Sequence, residues 1–511
     1  MSVVLKLAIV LFIALPGVTS IYKYAYNAGS DDENNDGVPD SLDLNRDGKL
    51  DHPGCPHNKA APVLNPALLQ TRDEPYRDLA NTSASLLQGN LGIRPLLILN
   101  QYDVQYEAFV HQIRTYGDRP FDYLTNEVQG QRGFFNLPFG QTWKSYRQII
   151  MRYYSNNVIR QPIGFEQSIK AELDYLRGIL KTGAKLDISQ VLARPLLRNF
   201  FFMIFGTSFT DFTDDIDKKI IPLFVTSLTL RPKVIDADWE PKKRETEPVK
   251  LYIENTKKIL SVLKTMIQAH FMKKPNGIGN ALADKLRKNI QQRLEAKGED
   301  TCTFDELTAV IWDLLQLTVP GIIRNLNWYF LYMLNYPAVQ SKVQSEIDQY
   351  LKGRAANGQD QLNHILPYTE GSILEVLRIS PHTAIKRRTN APSCLHGYNI
   401  PSNITVVPNL WKVSNDPHLW EKPEEYRPER FQDGIRFGTP AAFVPFSIGL
   451  RRCPGEAVAK MWMFLYVTPL LQEFKFIPEA IDGSPPPLES LPRRLFDLIT
   501  PVPYKLIAQM R

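Results

Sequence analysis

The chain opens on an almost unbroken apolar run, residues 3–22 (VVLKLAIVLFIALPGVTSIY), with Lys6 its only charge. That is close to the ~20 residues a helix needs to cross a bilayer, while Val18 and Ser20 also satisfy the small-residue rule for signal cleavage. Residues 1–22 therefore predict either a membrane anchor or a signal peptide. A polar, acidic stretch, residues 30–52, follows without apolar periodicity. Within it Asp32, Asn34, Asp36, Asp40 and Asp43 place oxygen-bearing side chains around a glycine turn, and Asp43, Asn45, Asp47 and Asp51 begin the arrangement again at Gly48. Hard cations such as calcium take oxygen ligands of this kind; a solvated acidic linker reads the same way. From about residue 85 the pattern turns helical, broken by short β-rich pieces such as RPLLILN (94–100) and NITVVPN (403–409). One helix is predicted to be exceptionally long. Thr303 and Glu306 form a capping box, and apolar residues then run from Phe304 to about Asn335. Inside it Pro320 lacks a backbone donor and crowds the Gln316 carbonyl, which predicts a kink. No internal linker appears after residue 85, so residues 85–511 are expected to form one globular unit.

Composition narrows the class. With 43% hydrophobic and 22% charged residues in 511, the chain has material for a large core and is not disordered, collagenous or coiled-coil. Lys and Arg exceed Asp and Glu by 60 to 54, and a formal charge of +6 is too small to argue for nucleic-acid binding. The four cysteines, Cys55, Cys302, Cys394 and Cys453, are too dispersed to announce a disulfide framework or a zinc cluster.

The strongest chemical signal is FSIGLRRCPG, residues 446–455, which leads into an amphipathic segment, EAVAKMWMFLYVTPLLQEF. Cys453 falls at the mouth of the helix this segment predicts. Backbone N–H groups and the helix dipole there favour a thiolate, which is a good metal ligand. Gly449 and Gly455 are expected to admit a flat, bulky group against the backbone, with Arg451 offering a cation to an acid on it. Phe446 opens the pattern. Together these residues resemble the heme-binding loop of the cytochrome P-450 family, in which a thiolate ligates the iron. Three further segments agree with it. EGSILEVLRISP sets Glu375 and Arg378 on one helical face, EYRPERF supplies Arg430, and QTWKSYRQ carries Trp143 and Arg147 four apart.

The resemblance covers about residues 85–511 and is closest to the microsomal animal-type branch. It implies a mainly α fold, a helical triangular prism with a small β-rich lobe, holding heme between the long helix and the cysteine loop. Cys453 becomes the iron ligand, and Glu375, Arg378 and Arg430 a buried charge triad that steadies its loop. Trp143, Arg147 and Arg387 become contacts of the heme propionates, with Arg388 the rival of Arg387. The acidic segment separately resembles the calcium loops of thrombospondin type 3 repeats and dockerins.

One departure from the family bears on mechanism. The family pattern A-G-x-[DE]-T-T at the helix kink organises proton delivery to dioxygen, and LTVPGI, residues 317–322, aligns with it. Pro320 and Gly321 thus stand where the acid and the alcohol belong, and neither side chain relays a proton. Thr318 is the nearest remaining hydroxyl; alternatively Pro320 only bends a packing helix. Three functions follow: a monooxygenase acting on a lipophilic small molecule, an isomerase or dehydratase acting on a peroxide, or a binding protein, either a heme-binding protein with little catalysis or a lumenal calcium-linked module. The first implies an NADPH-dependent reductase as partner, for which the basic run 285–297 is either a docking surface or a solvated helical face. The aromatic loop 117–140, with Phe121, Tyr123, Phe134, Phe135 and Phe139, is expected to roof an apolar pocket. The expected placement is a single-pass anchor in the endoplasmic reticulum membrane with a cytoplasmic heme domain. The alternative is a secreted or lumenal protein, in which the N-x-[ST] sequons at Asn81 and Asn403 would matter.

Overall fold

The computed structural model describes residues 59–63, 82–130, 132–156, 163–273, 279–296, 298, 304–380, 385–431, 440–480, 482–489 and 499–511. The apolar run 1–22, the acidic segment 30–52 with all its oxygen-bearing positions, Asn81 and Thr303 lie outside these residues.

Helices dominate, as the pattern predicts. The longer ones are α1 (Tyr123–Gln129), α2 (Gln141–Tyr153), α3 (Ile163–Leu180), α4 (Ile188–Phe205), α5 (Ile221–Val234), α6 (Glu247–Met272), α7 (Leu282–Glu295), α8 (Phe304–Asn335), α9 (Pro337–Leu351), α10 (Pro367–Ile379) and α11 (Glu456–Glu473). The strands are β1 (Lys59–Ala60), β2 (Leu86–Leu91), β3 (Arg94–Leu99), β4 (Arg387–Arg388), β5 (Ser393–Leu395), β6 (Tyr398–Ile400), β7 (Thr405–Pro408), β8 (Phe474–Pro478) and β9 (Leu506–Met510).

The chain divides into two compact units, one of which combines residues up to Ala60 with Ser393–Ile400. Its described part is a three-stranded sheet in which β6 lies between β1, parallel to it, and β5, antiparallel to it. Cys394, in β5, is disulfide-bonded. Spacing along the chain hides such a bond, because pairing requires only that the fold bring two Cα atoms within about 4.4–6.8 Å.

The other unit, Ala61–Pro392 with Pro401–Arg511, holds the helices and a four-stranded sheet in the order β2-β3-β7-β4. β2 and β3 form a hairpin that turns at Gly92, whose φ of 56° suits a residue without Cβ. The two β-rich sequence pieces meet here in parallel, Leu96 opposite Thr405 through Leu99 opposite Pro408. β8 and β9 make a separate antiparallel pair.

α8 runs 32 residues without interruption, a length of about 48 Å. It is buried along most of its course, packed against α4, α6, α9 and α11. Among the described residues it is the one helix long and apolar enough to cross a membrane; its burial makes it the central core helix instead. Pro320 sits inside it and the helix continues through. Glu306, expected to cap the first turn with Thr303, which lies outside the described residues, accepts through its carboxylate from the Tyr146 hydroxyl at 2.5 Å and from Arg293, partners supplied by α2 and α7.

Candidate functional site: a cysteine-walled cavity

Residues 446–455 coil tightly ahead of α11. The Cys453 N–H donates to the Phe446 carbonyl at 2.9 Å, and Ser447 and Gly449 adopt left-handed backbones with φ of 61° and 75°. A Cβ on Gly449 would fall 1.9 Å from the Phe109 carbonyl oxygen. This glycine therefore admits the close approach of the Phe109 backbone. A Cβ on Gly455 would meet the Cys453 Sγ at 3.8 Å and the Tyr154 ring at 4.0 Å, which is ordinary contact.

Cys453 is half-buried, is a free thiol and faces a cavity of about 1410 Å³, mouth included. Burial pushes its thiol up, while the Gly455 N–H, Arg147 and Arg452 pull the other way. The position at a helix mouth is thus outweighed by depth, and a thiolate here needs a bonded cation to stay deprotonated.

The opposite wall is one face of α8, formed by Leu314, Leu317, Thr318, Gly321, Ile322 and Asn325, residues spaced three and four apart as helix geometry requires. Leu317 is 42% exposed in an otherwise buried stretch because it opens onto this space. Pro320 does not line this cavity. It lines a second one of about 1220 Å³ with Trp312 and Gln316, and the two spaces share Arg119, Phe135, Leu317 and Ile385. Tyr154, at the end of α2, lines the first cavity and is hydrogen-bonded to Thr318; burial, then the neighbouring Cys453, raises its hydroxyl pKa.

Arg119, Arg147 and Arg451 line the cavity, and Arg387 lies beside Arg451. Arg119, Arg387 and Arg451 are buried and Arg147 is half-buried. Arg147 donates to the Arg452 carbonyl at 2.7 Å. Arg119 donates to the Phe135 and Lys386 carbonyls, and Arg451 to the Phe135 and Leu137 carbonyls. Arg387 donates to the Arg451 carbonyl at 3.2 Å, but its Nε and Nη1, and the Nε of Arg451, have no partner among the described residues. Trp143 supports the group, with the Arg451 guanidinium 4.5 Å and the Arg147 guanidinium 5.5 Å from its ring centre. Burial lowers all four, Arg147 to about 10, Arg451 to about 9, Arg119 and Arg387 well below the usual range; neighbouring arginines lower them further, Arg452 in the case of Arg147, which Cys453 opposes. Asp118 eases Arg451 alone and accepts from the Phe139 N–H at 2.8 Å and from Arg388 at 3.2 Å. Arg388, the rival candidate, keeps a buried Nε with no partner among the described residues. A cationic cluster this deep is costly unless an anion completes it.

The triad residues come together. Arg378 Nε and Nη2 grip the Glu375 carboxylate at 2.8 and 2.7 Å, and Arg430 Nε reaches the same carboxylate at 2.8 Å. Arg378 also donates to the Ser414 and Pro423 carbonyls, and Arg430 to those of Glu421, Lys422 and Glu425.

Three residues of the site carry no motif. Arg119 becomes visible only through its place at the rim, and Tyr154 only through Thr318. Asp313, a lone acid in the apolar stretch of α8, offered a signal that was not used. It accepts from the Phe135 N–H at 2.7 Å, Gln129 at 2.9 Å and Gln316 at 3.0 Å, and burial lifts its pKa to about 6. It ties the aromatic loop to α8. Of that loop, Phe134 and Phe135 line the cavity, Phe139 packs on Trp143, Tyr123 lies under Arg244, and Phe121 is 48% exposed. The basic run 285–297 is less open than its charges imply, since Arg287 lies over Phe271 and Arg293 turns to Tyr146 and Glu306.

Residues 56–507 match the family model described as Cytochrome P450. Cytochrome P450 2U1 from Homo sapiens is 29% identical over 418 residues, 78% of this chain and 75% of that protein. Steroid 17-alpha-hydroxylase/17,20 lyase from Gallus gallus is 28% identical over 446 residues, 82% of this chain and 86% of that protein. A solved zebrafish cytochrome P450 structure with progesterone has a TM-score of 0.72 at 21% identity, covering 88% of this chain and 100% of that one. The chain belongs to the cytochrome P450 family. It is an oxygen-incorporating oxidoreductase with the fold of that family, whose cofactor is heme. The cavity suits that group: one sulfur on one wall, and at the rim guanidinium nitrogens short of an anion.

Proposed function

We propose that the protein is a heme-thiolate monooxygenase that places one oxygen atom of O2 into a lipophilic small molecule, using electrons from a reductase at the endoplasmic reticulum membrane. The observation that carries this reading is the cavity lined by Cys453 and an incompletely partnered Arg451, with the likewise incompletely partnered Arg387 beside Arg451. Cys453 would hold the iron, presented by the fold of residues 446–455, and Arg119, Arg147, Arg387, Arg451 and Trp143 would hold the propionates. When bound, a thiolate-ligated heme activates dioxygen, with electron density from sulfur favouring O–O cleavage.

The chain's own residues do the rest. Leu314, Leu317 and Ile322 keep the α8 wall dry. The Thr318 hydroxyl, bonded to the Tyr154 hydroxyl, presents a proton at that wall, a part that Pro320, turned to the second cavity, and Gly321 have no group to play. With its pKa raised, Tyr154 stays a neutral hydroxyl near pH 7 and so remains a donor. Lipophilic substrate enters through the adjoining cavity, whose walls include Leu124, Phe224, Ile235 and Trp312, with Asp122 and Arg231 for a polar end. The test is a product screen with NADPH and a reductase. Oxygenated product labelled from 18O2 supports the reading, and its absence across lipophilic panels refutes it.

One observation favours a second reading. With Pro320 and Gly321 in place of an acid and an alcohol, the site suits a peroxide substrate, whose oxygen is already reduced. Turnover of a lipid hydroperoxide without NADPH, and none with it, would make the protein an isomerase or dehydratase. In an oxygenase, Pro320→Glu with Gly321→Thr should divert electrons from hydrogen peroxide into product.

A further inference from the structure

Two features outside the cavity concern the compartment in which the catalytic domain lives. Cys394 is disulfide-bonded, and disulfides persist in the secretory lumen and outside the cell, whereas the cytosol keeps thiols reduced. Nine residues on, Asn403 opens the sequon Asn403-Ile404-Thr405. Asn403 is exposed in a turn before β7, with φ of 60°, a conformation asparagine tolerates better than most residues.

We propose that Asn403 carries an N-linked glycan and that the catalytic domain therefore faces the lumen or the exterior. The Asn403 Nδ2 would attack the anomeric carbon of a lipid-pyrophosphate-linked oligosaccharide. A C–N bond forms, the C–O bond to pyrophosphate breaks, the lipid pyrophosphate leaves and an amide proton passes to a base. No oxidation is involved. Thr405, which the transfer must recognise, is buried in the folded domain, where β7 is paired on both sides, with Leu96 of β3 and Arg388 of β4 opposite it. Transfer therefore precedes docking of β7, during entry of the chain into the lumen. A glycan on the exposed turn then leaves the sheet undisturbed. The consequence for catalysis is that the electron donor shares that compartment, out of reach of a reductase confined to the cytosol.

The full chain expressed in animal cells tests this independently of activity. Peptide N-glycanase should shift the Asn81→Gln variant by one discrete electrophoretic step. Adding Asn403→Gln, or Thr405→Val, which keeps a β-branched residue in the strand, should abolish that step. Alkylation should label Cys394 only after reduction. A glycan step that survives Asn403→Gln and vanishes with Asn81→Gln would overturn the site. No glycan step at all, with Cys394 alkylated without reductant, would overturn the lumenal placement as well.

Discussion

A buried guanidinium with two unpartnered nitrogens is an unfavourable thing to build into an empty protein, which makes Arg387 the most informative single position. Charge-assisted hydrogen bonds contribute about 1.5–3 kcal/mol each, so Arg387→Ala should weaken hemin binding roughly tenfold to hundredfold. The apoprotein should melt no lower, because an uncompensated charge is gone. Hemin titration and apoprotein melts check the two halves, and a variant that melts lower yet binds hemin normally would give Arg387 a purely structural role. Tyr154→Phe should leave hemin affinity and the visible spectrum of the loaded protein intact while raising hydrogen peroxide released per NADPH; unchanged coupling would remove Tyr154 from the proton route. At this scale the sequence spoke where function is local, as in the ten residues around Cys453. It was silent on Arg119 and Tyr154, whose partners Lys386 and Thr318 lie far along the chain.

At the scale of elements, α8 was legible end to end because apolar periodicity and the stop before Pro337 mark it. The use of Glu306 was not, since its partners come from α2 and α7. Both strands of the β3–β7 pair could be read, but not their parallel register, which depends on the whole connection between them. The Glu375 triad is the element-level anchor, tying α10 to the segments around 414–430. Glu375→Ala would strand two arginines, one fully and one largely buried, and should cost about 3–5 kcal/mol, seen as a collapse in thermal stability. Arg430→Lys keeps the charge and loses the planar fork that spans Glu375 and three carbonyls, so it should fall between wild type and Glu375→Ala. A Glu375→Ala protein as stable as wild type would contradict this role.

Across the whole molecule, pH dependence offers a further check. Glu370 on α10 is buried beside Glu346; burial first, then that like charge, lifts its pKa to about 8, with Lys460 opposing. Its carboxyl meets His364 Nδ1 at 2.9 Å, and burial lowers the His364 pKa. Between the unfolded value near 4.5 and about 8, the folded chain keeps a proton that the unfolded chain releases. Stability from this group is therefore greatest at the acidic end and falls as pH rises through that window. Glu370→Gln should flatten the fall, measured as melting temperature at pH 5 and pH 8; an unchanged slope would mean that Glu370 is ionised in the fold. The family and its helical architecture were legible because several separated motifs occur in the right order. The sheet of β1, β5 and β6 was not, because β1 pairs with a strand far along the chain.

The central claim is that the Cys453 sulfur bonds heme iron. Its most direct test is the absorbance of hemin-loaded protein after reduction and addition of carbon monoxide. Wild type should show the long-wavelength band that gives the family its name, and Cys453→Ala should lack it. Hemin-loaded wild type without that band, or Cys453→Ala retaining it, would contradict the account.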